Sequence, residues 1–208
     1  MGTTSVYRAK NNIYLNLTNR CSSDCSFCLA RFAGSVYGSD LRLESEPEVP
    51  DVLRDLEYEF LEGPADEVVF CGLGEPTLRL DAVLQITEWL HLRRIRSRLN
   101  TNGQGALINP EVDVAARLAR AGLDAVSISL VAHNSEVYNQ ICRPIFSKAF
   151  RAVIGFAEAC ISERIEVTLS VVDLPEVDTE ACRSMAARMG AAFRVRPLIT
   201  AGSQEVSA

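Results

Sequence analysis

Residues 67–92, EVVFCGLGEPTLRLDAVLQITEWLHL, decide the fold, because an apolar run is followed by a glycine-rich turn and a helical pattern. Glu67 to Cys71 is rich in valine and aromatic residues, which predicts a strand. Apolar residues recur at helical spacing from Leu80 to Leu92, so a helix follows the turn. This strand–loop–helix order is one βα unit.

The same unit recurs on both sides of this stretch. Further strands are predicted at Ile13 to Leu17, Ile95 to Thr101, Asp124 to Leu130, Ile165 to Val172 and Ala191 to Val195. Further helices are predicted at Pro47 to Leu61, Pro110 to Ala121, Ser135 to Cys142, Phe146 to Cys160 and Val177 to Met189. Strands that alternate with helices imply right-handed crossovers and a parallel sheet.

The length of the chain limits how many units the sheet contains. A closed eight-unit barrel usually takes about 250 residues, and this chain has 208. The sequence therefore predicts an α/β fold in the form of a partial (β/α)6 barrel with parallel strands. We expect residues 1–200 to form a single domain and residues 201–208 to form a polar tail.

Composition and charge exclude several classes of protein. The net charge is −6 with a pI near 5.1, so nucleic acid is not an indicated partner. The sequence contains no stretch of about 18 uncharged apolar residues that would span a membrane. It also has no signal peptide pattern at its start. We therefore expect a cytoplasmic protein without a membrane partner.

The cysteine distribution indicates a metal site. Three of the seven cysteines, Cys21, Cys25 and Cys28, follow the first predicted strand with the spacing C-x3-C-x2-C. Thiolates prefer iron–sulfur clusters, zinc or Cu(I) as partners. A closed structural site takes four protein ligands, and neither His91 nor His133 is close in sequence. The spacing predicts a site with one open metal position.

The pattern C-x3-C-x-aromatic-C at the end of a first strand resembles the signature of the radical S-adenosylmethionine (SAM) superfamily. The resemblance implies a [4Fe–4S] cluster bound by Cys21, Cys25 and Cys28, with SAM on the fourth iron and Phe27 against its adenine. It also implies reductive cleavage of SAM to a 5′-deoxyadenosyl radical, which abstracts a hydrogen atom from the substrate. No further catalytic residue is assigned.

Other segments match the same family. Gly72-Leu73-Gly74-Glu75-Pro76 resembles its Gly-Gly-Glu-Pro motif, which binds the methionine amino group, although Leu73 separates the two glycines here. The resemblance implies that the Ser129 hydroxyl contacts the ribose of SAM. Asn102, after the third strand, is a candidate for the lining of the SAM pocket. Plain turns at residues 72–76 and 102–103 and a core serine are the alternative interpretations.

Candidate substrate contacts are His133, Arg143, Asp173 and Arg196, all placed after predicted strands or near the expected mouth of the barrel. The two arginines can bind a carboxylate or a phosphate through a bidentate fork. Surface ion pairing for the arginines, a solvated loop for His133 and a helix cap for Asp173 are the alternatives.

Within the superfamily, the chain resembles the TatD-associated radical SAM group. The matching segments are YLNLTNRCSSDCSFC (14–28), VFCGLGEPT (69–77), LNTNG (99–103), VSISL (126–130), YNQICRP (138–144) and FRVRP (193–197). The segment between Cys28 and Pro47 is long enough to cover the mouth, which favours a small substrate. The resemblance also implies an electron donor such as flavodoxin or ferredoxin. A glycyl-radical activase that acts on a partner protein is one alternative. A non-enzymatic zinc or iron–sulfur module, the latter with Cys71 as fourth cluster ligand, is another.

Overall fold

The computed structural model describes residues 4–32 and 38–199, which form one seven-stranded sheet flanked by helices. The strands are β1 Val6–Ala9, β2 Asn12–Leu15, β3 Val68–Phe70, β4 Ser97–Thr101, β5 Ala125–Ser129, β6 Glu166–Val172 and β7 Ala192–Arg196. The helices are α1 Leu29–Phe32, α2 Val49–Leu61, α3 Leu80–Leu92, α4 Gly105–Ile108, α5 Val114–Ala121, α6 Ser135–Cys142, α7 Ala149–Ser162 and α8 Thr179–Met189. A 3-10 helix, Pro76–Arg79, precedes α3.

The order of the strands in space follows their order in the chain, from β1 to β7. Every pair from β2 to β7 is parallel, as expected for a partial (β/α)6 barrel. The sequence analysis did not predict β1, which pairs antiparallel with β2 through a tight turn at Lys10. Tyr7 of β1 stacks on Tyr14 of β2 at 5.3 Å between ring centroids.

The two faces of the sheet have different compositions because side chains alternate along each strand. The outer face supplies the main core under the helices, with Ile13, Phe70, Leu99, Ile128 and Leu169 fully buried. The inner, concave face is mostly polar beyond β3. Its side chains include Arg98, Asn100, Ser127, Ser129, Thr168, Ser170, Arg194 and Arg196. A polar concave face is suited to a polar ligand rather than to a dry barrel core.

The ends of the helices confirm two predicted glycine caps and correct one predicted carboxylate cap. Gly122 and Gly190 end α5 and α8 in the left-handed conformation, with φ of 89° and 75°, as their positions predict. The cap of α8 is Asp178, whose carboxylate accepts from the Ala181 amide at 2.9 Å. Capping by Asp173 is therefore wrong. That residue lies five positions too early, and its amide donates to the Arg196 carbonyl at 2.8 Å.

The carboxyl ends of β2, β3, β4 and β5 lie along the same edge of the sheet, which brings the marked loops together. In the described part of the chain, no helix is long and apolar enough to cross a membrane. The expected tail at 201–208 and residues 33–37 of the covering segment lie outside the described residues.

Candidate functional site

The cysteine loop follows β2 at the carboxyl edge of the sheet. Cys21 is exposed, while Cys25 and Cys28 are half-buried. Within residues 4–32 and 38–199, no three His, Cys, Asp or Glu side chains are arranged to share one metal ion. The thiolates around a [4Fe–4S] cluster bind separate irons, so three cysteines on one loop are a donor set that suits such a cluster.

The glycine-rich turn after β3 packs directly against the cysteine loop. The Glu75 amide donates to the Arg20 carbonyl at 2.8 Å. A Cβ atom on Gly74 would lie 2.4 Å from the carbonyl oxygens of Thr18 and Arg20. A Cβ on Gly72 would lie 1.9 Å from Oδ1 of Asn16. Both glycines are therefore required by the packing of the protein itself, and their contact with SAM stays a prediction.

Glu75 ties the turn after β3 to the end of β4. Its side chain is 2% exposed. Oε1 accepts from Thr77 Oγ1 at 2.8 Å and from Thr101 Oγ1 at 2.7 Å, and Oε2 accepts from the Asn102 amide at 2.7 Å. Burial raises the pKa of Glu75, while these hydrogen bonds favour the carboxylate and oppose the rise. The predicted contact of Glu75 with the amino group of SAM remains untested.

Two amide side chains after β4 connect this edge to the cysteine loop. Asn102 Nδ2 donates to Ser22 Oγ at 2.9 Å and lies 3.7 Å from Cys21 Sγ. Gln104 Nε2 donates to Ser23 Oγ at 2.8 Å and to the Tyr138 hydroxyl at 3.0 Å. Asn102 was predicted as pocket lining, but Gln104 was not predicted at all. No local motif marks Gln104, and only its neighbours in space reveal its role.

Residues 141–145, here called the clamp segment, form the other wall of the cysteine loop. The Ser26 amide donates to the Ile141 carbonyl at 2.9 Å, and the Asp24 amide donates to the Cys142 carbonyl at 3.0 Å. In the reverse direction, the Ile145 amide donates to the Ser22 carbonyl at 3.0 Å. This ladder holds the loop by its backbone and uses none of the three cysteine side chains.

The cysteine thiols differ in acidity because their surroundings differ. A hydrogen bond from the buried Cys142 thiol lowers the pKa of Cys25 and raises the pKa of Cys142 itself. Although Cys21 as a whole residue is exposed, partial shielding of its sulfur by the surrounding protein raises the pKa of Cys21 to about 11. Since only thiolates bind metals, proton loss accompanies ligand binding at this loop.

The remaining predicted contacts are divided between the inner face and the periphery. Ser129 is half-buried on the inner face, and Phe27 packs against the main core. His133 Nδ1 accepts a hydrogen bond from the Asp178 amide at 3.2 Å, so the His133 side chain joins the loop after β5 to the start of α8. Arg143 is exposed and ends α6 with a φ of 44°, and Asp173 is exposed.

Arg196 lies on the inner face at the end of β7, so it shares the carboxyl edge of the sheet with the cysteine loop. Arg98 lies on the same face but is paired with Glu67 at 2.6 Å. Arg143 belongs to the clamp segment, and its carbonyl accepts from the Asp24 amide at 3.4 Å.

The residues present fit a [4Fe–4S] cluster and SAM. Three thiols stand on a loop held by backbone hydrogen bonds, and the donor set leaves one metal position without a protein ligand. Next to them, the inner face offers hydroxyl, amide and guanidinium groups, which suit a polar cofactor with carboxylate and ribose groups.

This parallel α/β half-barrel, with three cysteines at the carboxyl edge of its sheet, defines a class of cluster-binding protein. The sequence profile of the Radical SAM superfamily matches residues 15–188, and the chain belongs to that superfamily. Its members use a [4Fe–4S] cluster and SAM as cofactors.

Relatives include a probable GTP 3′,8-cyclase of Methanocaldococcus jannaschii, which is 27% identical over 188 residues. The match covers 86% of this chain and 57% of that protein. The GTP 3′,8-cyclase of Limosilactobacillus fermentum is 28% identical over 137 residues, covering 65% of this chain and 38% of that protein. The chain thus spans just over half the length of the first relative and less than half the length of the second.

Solved structures with the same fold include Streptococcus suis SuiB bound to SAM, with a TM-score of 0.71 at 16% identity. That match covers 95% of this chain and 42% of SuiB. The [FeFe]-hydrogenase maturase HydG matches with a TM-score of 0.67 at 13% identity, over 95% of this chain and 43% of HydG. At these identities the matches establish the fold alone, and they confirm the predicted architecture.

Proposed function

We propose that the chain catalyses radical chemistry that begins with reductive cleavage of SAM, and that Cys21, Cys25 and Cys28 are the protein ligands of the cluster. The observation that supports this most is the hydrogen-bonded frame around residues 20–26. Loops after β3 and β4 and the clamp segment hold this loop from three sides. Such a frame presents the thiols to a ligand in a fixed orientation.

When bound, the cluster and SAM supply one-electron cleavage of the S–C5′ bond, which produces the 5′-deoxyadenosyl radical. The protein's own residues bind and orient. We expect the Ser129 hydroxyl, on the inner face, to contact the ribose, and Phe27, between Cys25 and Cys28, to lie against the adenine. Asn102 holds Cys21 and Ser22 in place. The turn at residues 72–76 takes the methionine part of SAM.

We further propose that the chain is a member of the TatD-associated group, on the basis of the six matching segments. We expect a small substrate, an electron donor of the flavodoxin or ferredoxin type, and a reducing, cytoplasmic location for the thiols. The relatives are named for a nucleotide substrate, GTP, and we include nucleotides among the candidate small substrates of this chain.

The test is anaerobic reconstitution of the purified protein with iron and sulfide. An oxygen-sensitive cluster should form, and addition of dithionite and SAM should yield 5′-deoxyadenosine. Cys25→Ala should lose both the cluster absorbance and the product. Cys182→Ala is the matched control, because Cys182 is fully buried in α8 and outside the site. Protein that binds only zinc and forms no 5′-deoxyadenosine would overturn the proposal.

A further inference from the structure

The inner face carries arginines on β4 and on β7, and only the arginine on β4 is paired with a carboxylate in the described residues. Arg98 is paired with Glu67, whose carboxylate accepts from both Nε and Nη2 of the guanidinium. Arg194 and Arg196, on β7, form no ion pair within residues 4–32 and 38–199. Nε of Arg196 is buried and has no hydrogen-bond partner in that part of the chain. The face therefore contains a guanidinium whose Nε–H group is unsatisfied.

The surroundings of Arg196 make this arrangement costly. Burial lowers the pKa of Arg196 below its usual value, and the neighbouring charge of Arg194 acts in the same direction. A guanidinium stays protonated in proteins, so the charge is not relieved by loss of a proton. A buried N–H group without an acceptor, on a half-buried guanidinium without an ion pair in the described residues, costs free energy. An anion bound here would remove that cost.

The location connects this charge with the site of chemistry. Arg196 is the last residue of β7, so it lies at the carboxyl edge of the sheet, where the cysteine loop follows β2. Arg194 and Arg196 are two residues apart on one strand, so their side chains leave the same face about 6.6 Å apart along β7. This spacing is wider than one carboxylate needs and fits a larger anionic group or two adjacent ones.

We propose that Arg194 and Arg196 form a receptor for an anionic group of the substrate, a phosphate or a carboxylate. The inference rests on the proposed function, since it places the substrate on the inner face beside the cysteine loop. Arg196 binds the anion through its guanidinium, which can offer two N–H groups to one phosphate or carboxylate. Arg194 lies two residues nearer the amino end of β7 and is more exposed.

The test measures binding of inorganic pyrophosphate and of malonate to the reconstituted protein by anaerobic titration calorimetry. Arg196→Gln should weaken binding of at least one probe roughly tenfold to a hundredfold. Arg151→Gln is the charge-matched control, because Arg151 is exposed on α7, and it should bind like wild type. If Arg196→Gln fails to fold, Arg194→Gln serves as the second variant, with the same expected direction.

Two results would overturn the inference. The first is equal binding, or no binding, of both probes in wild type and Arg196→Gln. The second is a tenfold loss of SAM affinity in Arg196→Gln together with competition between SAM and the probes, which would assign the site to the carboxylate of SAM. A wild type that forms 5′-deoxyadenosine but binds neither probe refutes the receptor alone. A wild type that forms no 5′-deoxyadenosine refutes the proposed function.

Discussion

Replacement of Glu75 by Gln tests whether this carboxylate stabilises the site by joining the turn after β3 to the end of β4. In the structure, its two oxygens face only donors, which are the amides of Thr77 and Asn102 and the hydroxyls of Thr77 and Thr101. Gln has the same shape but carries one NH2 group. Whichever way the amide is oriented, a donor then faces a donor.

The size of the effect follows from these contacts. The orientation that costs less places the NH2 group against the Asn102 amide, whose buried N–H loses its acceptor at a cost of ~1–3 kcal/mol. The remaining hydrogen bonds also lose the negative charge that strengthens them. We expect a net loss of ~2–3 kcal/mol, which for a domain of this size lowers Tm by roughly 4–12 °C.

Urea unfolding of the cluster-free protein, followed by far-UV circular dichroism, measures this loss directly. Glu57→Gln on the exposed side of α2 is the control, and it should stay within about 0.5 kcal/mol of wild type. A Glu75→Gln variant that is as stable as wild type would refute the reasoning. It would mean that the buried side chain is already protonated and behaves as an amide would.

Three further predictions concern packing and pairing. Gly74→Ala should prevent native packing of the cysteine loop, because its Cβ would meet backbone oxygens at 2.4 Å; the measurement is the loss of soluble, cooperatively unfolding protein. Gly155→Ala is the control, since the space around its Cβ in α7 is open, and it should raise the free energy of unfolding by ~0.5–1 kcal/mol. A Gly74→Ala variant that folds like wild type would contradict the geometry. Tyr138→Phe should lower the free energy of unfolding in urea by ~1 kcal/mol, since its hydroxyl accepts from Gln104, and an unchanged midpoint would argue against that bond. Arg96→Gln should cost less than ~1 kcal/mol, because its pair with Glu166 is exposed. Arg96 lowers the pKa of Glu166 in the folded state, so this contribution is present above the ordinary carboxyl pKa and disappears as the pH falls through the lowered one; a difference that persists in acid would exclude the pair as its cause.

The βα order was predictable because each unit is encoded locally. The segment from Leu80 to Leu92 repeats apolar residues at helical spacing, and the observed α3 has the same bounds. Gly122 and Gly190 mark helix ends by a backbone conformation that glycine adopts readily. The short strand β1 escaped prediction because its four residues carry too little pattern, and its partner β2 supplies the pairing.

The frame around the cysteine loop was only partly predictable. The spacing of Cys21, Cys25 and Cys28 identifies the loop, and the alternation along β5 and β7 places Ser129 and Arg196 on the inner face. The hydrogen bonds that hold the loop join residues far apart in sequence, such as Ser23 and Gln104. These contacts depend on strand register and on the path of the chain after α6, which no local pattern specifies.

The ladder of backbone hydrogen bonds between the clamp segment and the cysteine loop has a consequence for folding during synthesis. On the ribosome the chain emerges from its N-terminus, so Cys28 is exposed long before Ile145 is made. At ~5–20 residues per second, the interval of about 120 residues lasts roughly 6–24 s. During that time the thiols are present without the wall that orients them and without the donor that acidifies Cys25. A cluster on these cysteines would therefore reach its final geometry only after α6 has docked, and until then the three sulfurs would depend on a reducing environment.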